Sequence, residues 1–263
     1  MTIHATGRPP GEPEECRIRI AAAGDVHYGG AGDRERARAS FAALAGRVDL
    51  VLLAGDLTTH GEPEQAAVLA EAASELDVPV IAVLGNHDWH SNRRDEVVAV
   101  LEEAGIVVLD RGHHVLEVCD TRVGVVGTKG FVGGFTGSHI PDFGEPLLRQ
   151  VYAEGMAEVE ALDAGLRAVA MCPFRIVVLH YAPTAQTLEG ERREIWAFLG
   201  TDRLAVPLAE HAPDLVLHGH AHAGTFAGRV GEVPVYNVSV PVMGEDWWVF
   251  ELSGARRIPS EVH

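Results

Sequence analysis

Cysteine is scarce in this chain: Cys16, Cys119 and Cys172 form an odd, widely spaced set without a CxxC pair. Such a set builds neither a disulfide framework nor a thiolate zinc site, and it points to a reducing, cytoplasmic setting. Cationic residues are also few, 21 Lys and Arg against 38 Asp and Glu, for a net charge of −17. That balance speaks against nucleic acid as a partner, because nucleic-acid affinity usually rests on a basic surface. It speaks equally against docking on an anionic membrane, and it suits a solvated surface that maintains solubility. No apolar run is long enough to span a bilayer. The opening stretch, MTIHATGRPPGEPEE, lacks the apolar core of a signal peptide, so residues 1–15 read as a flexible lead-in. Low-complexity tracts and internal repeats are missing as well.

What is present is an ordinary globular balance, 47% hydrophobic and 22% charged residues over 263 positions. A chain of this size buries roughly 70–75% of its unfolded surface. Residues 16–263 are expected to form a single domain. CRIRIAAAGD, DLVLLAGD and VPVIAVLGNHD read as strands, and helical patterns over DRERARASFAALAGR, GEPEQAAVLAEAASEL and RRDEVVAVLEEAG follow them in turn. Strand–helix alternation of this kind argues for βαβ units and a largely parallel sheet. IVVLD, HHVLEVCD and TRVGVVGT are three short strand-like segments, and LLRQVYAEGMAEVEALDAGLRAVA is a helix. Two more apolar strands, in PFRIVVLHYAP and APDLVLHGHAH, precede a tail, EVPVYNVSVPVMGEDWWVFELSG, that is expected to close one sheet. That apolar tail suits either core β-structure or the edge of a homo-oligomer.

The polar residues recur in one place. GDVH, GDL, GNHD, LHYAP and HGHAH each follow an apolar strand directly. In open α/β sheets the crevice beyond the carboxyl ends of the strands is where ligands bind. Five strand ends therefore deliver Asp25, His27, Asp56, Asn86, His180, His220 and His222 to one rim, with His87 and Asp88 beside them. Carboxylates, imidazoles and an amide oxygen suit borderline divalent metals, Mn, Fe, Zn, Ni or Co. Seven ligands exceed what one catalytic ion with an open position needs, and match two ions sharing a carboxylate. His218 lies on the same stretch but reads as a packed residue, with Gly219 breaking the strand alternation after it.

In this order the five pieces resemble the calcineurin-like metallophosphoesterase superfamily, whose pattern is D-x-H, G-D, G-N-H-[DE], H and G-H-x-H. Small bacterial phosphodiesterases are its most similar members in size and spacing. The resemblance implies a four-layer α/β/β/α sandwich with two mixed β-sheets and a dinuclear metal site at one rim. It implies one ion held by Asp25, His27, Asp56 and His222, and a second by Asp56, Asn86, His180 and His220. It implies hydrolysis of a small phosphodiester or phosphomonoester by in-line attack of a metal-bridging hydroxide. His87 would protonate the leaving oxygen or stabilise the phosphoryl charge, and Asp88 would orient its ring.

The chain departs from the protein Ser/Thr phosphatases of this superfamily. Where they carry G-D-x-x-D-R-G it has GDLTTHG, with Thr59 and His60 in place of Asp and Arg, and its third motif ends in Asp88 instead of Glu. Repair nucleases share the ligands but work with DNA-contacting surfaces, which a charge of −17 does not favour. The remaining alternative is a non-catalytic metal-binding scaffold; such members, a retromer subunit among them, have lost key residues. His60 and His90 lie near the motif loops, within reach of a substrate. His113, His114, His139 and His211 read as surface or supporting residues. The Gly-rich segment 127–146 lacks Walker spacing and is expected to form a lid, with Lys129 either on phosphate or solvated. EGERREIW, Glu189 to Trp196, reads as a plain helix start, and at most one of Trp247 and Trp248 can face the core.

Overall fold

The structure is a computed structural model that describes residues 16–254, so the lead-in assigned to residues 1–15 lies outside them. In chain order the first half contains β1 (Cys16–Ala23), α1 (Asp33–Ala42), β2 (Leu50–Ala54), α2 (Pro63–Ala73), β3 (Val80–Val83), α3 (Arg94–Glu103), β4 (Val107–Val108), β5 (Gly112–Val118) and β6 (Thr121–Gly127). The second half contains β7 (Gly134–Phe135), β8 (Ser138–His139), α4 (Pro146–Ala168), β9 (Phe174–Val178), α5 (Trp196–Leu199), α6 (Ala205–His211), β10 (Leu215–His218), β11 (Ala227–Val230), β12 (Val233–Asn237), α7 (Val240–Met243) and β13 (Trp248–Gly254).

Two mixed sheets result, one ordered β13-β1-β2-β3-β4 and the other β11-β12-β10-β9-β6-β5. In the first, β1 to β4 run parallel, and β13 closes the edge antiparallel to β1. In the second, β6, β9, β10 and β12 run parallel between antiparallel edges. Alternation along each strand sorts side chains to opposite faces. Thus Ile18, Ile20 and Ala22 of β1 join Leu50, Leu52, Val125, Ile176 and Leu217 between the sheets. Ala21 and Ala23 instead meet Phe41, Leu69 and Leu101 of the helices outside the first sheet. Leu162, Leu166 and Leu208 of α4 and α6 cover the outer face of the second. The expected α/β/β/α sandwich is what forms, and no described helix is long and apolar enough to cross a membrane.

The C-terminal tail differs from expectation. It serves both sheets: β11 and β12 extend the second, while β13 crosses to the first. The crossing seats Trp247 in the helix layer, its indole N–H bonding Ser40 Oγ at 2.6 Å, and leaves Trp248 exposed. Likewise IVVLD supplies only β4 at the edge of the first sheet, whereas β5 and β6 form a hairpin in the second.

The Gly-rich segment is not uniformly loose. Glu158, in the middle of α4 and only 2% exposed, accepts the Gly130 N–H at 2.9 Å, the Thr128 hydroxyl and the Arg111 guanidinium at 2.9 and 3.0 Å. Beyond this anchor, β7 and β8 make a small hairpin tied to Asp202 through His139 (2.6 Å) and the Thr136 N–H (2.8 Å). Residues 141–146 are exposed.

His218 is a packed residue, as expected. It is fully buried, with Nδ1 bonded to the Gly219 carbonyl and Nε2 to the Thr187 hydroxyl, each at 2.8 Å.

Two outcomes follow from these buried polar groups. Glu158→Ala strands Arg111 and the Gly130 N–H, and should cost about 3–5 kcal/mol in urea unfolding, with Glu158→Gln costing less. Burial lowers the His218 pKa to about 4, whereas the unfolded imidazole titrates near its ordinary value of about 6.5. The unfolded chain therefore binds more protons between those values, and stability is full above pH ~6.5 and falls toward pH ~4 by roughly 3 kcal/mol. In His218→Gln the slope of stability against pH over that window should flatten; an unchanged slope would assign the acid sensitivity elsewhere.

Candidate metal centre

Each motif loop leaves a strand at its carboxyl end. Asp25 and His27 follow β1, Asp56 follows β2, Asn86 and His87 follow β3, His180 follows β9, and His220 and His222 follow β10. The two sets of loops meet across the seam between the sheets, where Gly24 N–H bonds the Val238 carbonyl at 2.7 Å and Val240 N–H the Gly24 carbonyl at 3.0 Å. To turn inward this sharply, Asp25, His27, Asp56 and His220 all take left-handed backbone conformations, with φ of 58°, 46°, 50° and 69°. Such conformations cost non-glycine residues of order 1–3 kcal/mol each and cluster at functional sites.

The glycines of the motifs make room. A side-chain carbon on Gly85 would lie 2.1 Å from Asp56 Oδ1, and one on Gly219 would lie 2.2 Å from Asp25 Oδ2.

Ligand-type atoms come together in overlapping groups, each within 4.8 Å: Asp25 with His27 and His222, His27 with Asp56 and His87, and Asp56 with His180 and His220. Asp56 links them. Its Oδ1 accepts the His87 backbone N–H at 2.8 Å and lies 3.3 Å from His180 Nε2, while Oδ2 is 3.7 Å from His27 Nε2. Asn86 Oδ1 is 2.9 Å from the same His180 nitrogen. All seven residues expected as ligands are thus gathered in one place. A further group of Asp163, Glu210 and His211 lies apart, on α4 and α6, with Asp163 already paired to Arg167 at 2.8 Å.

Backbone carbonyls fix the rings. A carbonyl oxygen only accepts, so the nitrogen facing it carries the proton and the other nitrogen keeps its lone pair. Ala54 does this for Nδ1 of His180 (2.9 Å), Thr59 for Nδ1 of His87 (2.8 Å) and Phe198 for Nε2 of His220 (3.1 Å). This is the supporting arrangement typical of metal-ligating histidines. It also leaves His180 Nε2, Asn86 Oδ1 and Asp56 Oδ1 facing one another as acceptors, which repel unless a cation lies among them. Burial pushes the His220 pKa down to about 4, and burial also lowers that of His27, so both are neutral donors of lone pairs at pH 7. The hydrogen bond to Asp25, 2.8 Å long, instead raises the His222 pKa, the shared proton lying where a cation would otherwise neutralise the carboxylate. The donor set therefore fits divalent metal.

Asp88 departs from its expected role. It is fully buried, and its oxygens accept the N–H groups of Leu57 (3.2 Å), Thr58 (2.8 Å) and Gly85 (2.8 Å) and the Thr58 hydroxyl (2.6 Å). It clamps the second motif loop to the third, and the Thr59 carbonyl orients the His87 ring in its place. Burial, then the neighbouring Asp56 charge, push the Asp88 pKa up to about 6.

EGERREIW also does more than start a helix. Glu191 accepts the Ala223 N–H at 2.7 Å, and the chain running on from Trp196 supplies the Phe198 carbonyl to His220. Tyr181 was not singled out by its sequence context, yet its ring packs 4.4 Å from that of His220. His90 stacks on His87 at 4.3 Å, whereas His60 is exposed.

In sequence, the chain matches no curated protein. Its fold is similar to that of a phosphopantetheinyl hydrolase from Mycobacterium tuberculosis, with 18% identity and a TM-score of 0.61 over 84% of this chain and 88% of that one. It is also similar to a putative 5′-nucleotidase from Staphylococcus aureus, with 17% identity and a TM-score of 0.57 over 94% of this chain and 56% of that one. A third similar structure is GAP50, described as the anchor in the inner membrane complex of Plasmodium, with 14% identity and a TM-score of 0.58 over 90% and 81% of the two chains. Residues 18–224 match the calcineurin-like phosphoesterases, and the chain belongs to that family.

Proposed function

We propose that this protein is a dinuclear metal-dependent phosphoesterase that hydrolyses a small phosphodiester, with phosphomonoesters as its second substrate class. The observation that carries the reading is the Asp56 carboxylate, within 4 Å of imidazoles from both sheets. Asp25, His27, Asp56 and His222 would hold one ion, and Asp56, Asn86, His180 and His220 the other. Bound there, two divalent ions would supply Lewis acidity toward a phosphoryl oxygen and lower the pKa of the attacking water.

The chain's own residues account for the rest. His87 Nδ1 donates to the Thr59 carbonyl, so Nε2 is the edge left to take up a second proton and hand it to the departing oxygen, and the Thr59 carbonyl would stabilise the ring while it is charged. The stack of His90 on His87 limits how that ring can tilt. Asp88, by joining the loops of Asp56 and His87, keeps acid and ligands in register. Fold likeness alone does not argue for catalysis, since one similar structure is described as an anchor; the full donor set beside His87 does. The similar hydrolase and putative nucleotidase suit a phosphate ester as substrate. Manganese is the ion with which to begin, because mixed oxygen and nitrogen donors accept it.

Protein stripped by chelator and reloaded with Mn²⁺ should hydrolyse bis(p-nitrophenyl) phosphate faster than p-nitrophenyl phosphate, and Asp56→Ala should lose more than about 100-fold. Two ions bound per chain with neither ester turned over would make the protein a scaffold; no metal bound would overturn the reading altogether. His87→Ala should keep its metal content and lose about 10²–10⁴-fold with an alkyl leaving group. The loss should shrink with p-nitrophenolate, which departs without a proton. Equal losses on both leaving groups would remove His87 from the role of acid.

A further inference from the structure

The chain contains one lysine, Lys129; the other twenty of its 21 Lys and Arg residues are arginines. That single ammonium is not on the open surface. It lies just past β6, next to β9 in the second sheet, and its backbone carbonyl accepts the N–H groups of His180 and Tyr181 at 3.0 Å each. The side chain is half-buried, and among the described residues it makes no ion pair. Its one hydrogen bond is to the carbonyl of the following residue, Gly130, at 3.2 Å.

Three aromatic rings surround the ammonium instead: Phe131 at 4.5 Å, Tyr181 at 5.2 Å and Trp89 at 5.9 Å. These rings locate it relative to the metal centre. The Tyr181 ring that neighbours the ammonium also packs against the ring of His220. Trp89 shares a single turn of 3-10 helix with His87, and its ring is 41% exposed. Lys129 thus shares one aromatic neighbour, Tyr181, with His220, and another, Trp89, with the helical turn that carries His87.

A half-buried cation faced by aromatic rings, with no carboxylate of the described residues at ion-pair distance, is weakly compensated. Cation–π contact supplies roughly 0.5–2 kcal/mol, and the nearby carboxylates Glu154 and Glu158 are already engaged by Arg111. Burial accordingly lowers the Lys129 pKa. An anion brought to this position gains more than it would beside a solvated arginine, because the low-dielectric walls strengthen the pairing. A lysine suits that task as a compact point charge able to meet a phosphate oxygen end-on.

We propose that Lys129 binds a second phosphoryl group, carried on the leaving-group side of the ester, with Trp89 and Phe131 flanking the organic portion between the two phosphates. This rests on the phosphoesterase reading above and narrows its substrate class to esters with a second, distal phosphate.

The test uses two thymidine nucleotides that differ by one phosphate, on Mn²⁺-reloaded protein. Calorimetry should give thymidine 3′,5′-bisphosphate at least about tenfold tighter binding than thymidine 5′-phosphate, and Lys129→Met should erase that ratio. Acetylation of the sole ε-amine, read by mass spectrometry on the wild-type chain, should be blocked by the bisphosphate at concentrations where the monophosphate leaves it open. That arm needs no variant. Equal binding of the two nucleotides by wild type, or a preference that survives Lys129→Met, would overturn the proposal and leave Lys129 a structural ammonium. Turnover of bis(p-nitrophenyl) phosphate and release of inorganic phosphate from the bisphosphate are both read in parallel. Turnover without the nucleotide preference sinks the Lys129 proposal alone. The preference without turnover sinks the hydrolase reading and leaves a bisphosphate-binding site.

Discussion

The Asp56 carboxylate is the constraint around which the rest is built. It is 1% exposed, and among the described residues no arginine or lysine pairs with it. Burying such a charge costs several kcal/mol unless cations or donors surround it. Among the described residues it receives one backbone N–H, from His87, and is otherwise faced by the imidazoles of His27, His87, His180 and His220. Four site residues hold left-handed backbone in addition. A cluster of this kind persists only where the surrounding structure over-determines it. Here the apolar layer between the sheets and the helix layers on either side supply that restraint.

Loop identity alone would not keep seven side chains in register. The carbonyls of Ala54, Thr59 and Phe198 each hold one ring nitrogen, and the bond between Ala54 and His180 joins residues 126 positions apart. Ala54 ends a strand of the first sheet and holds a histidine of the second, so the packing of sheet on sheet sets the tautomer of His180. Fold and proton position are linked directly there. Asp88 performs the same service for backbone, drawing three N–H groups from two loops onto one carboxylate.

The strand-end motifs were legible because each combines an apolar run, whose burial is forced, with a polar residue that a strand interior would not accept. Asp25, Asp56, Asn86, His180 and His220 could be placed on one rim from that alone. The layer order required the family resemblance, since strands buried on both faces carry no alternation to distinguish one sheet from the other. What stayed hidden was of one kind. The carbonyls of Thr59 and Phe198 act through backbone that every residue possesses, so no residue type signals them. Asp88 sits beside His87 in sequence, which suggests contact, but the single helical turn from His87 to Trp89 sends the two side chains apart. The crossing of β13 to the first sheet was invisible for a related reason: either sheet would bury the same alternating residues, and only the pairing partner decides.

Net charge adds one more condition. A chain at −17 repels an anionic ester at long range, so attraction has to be local. Two divalent ions, held as proposed against Asp25 and Asp56, would leave that rim positive, and a bound cation is often the largest local charge in a site. Arginines do little to help. Arg19, Arg34, Arg38, Arg93, Arg94, Arg111 and Arg229 are all spent on neighbouring carboxylates. Lys129 keeps its charge uncommitted because aromatic rings, which attract a cation without neutralising it, occupy the positions where carboxylates would otherwise sit. On an acidic surface, an ammonium left unpaired at the edge of the metal centre is thus maintained by the apolarity of its surroundings.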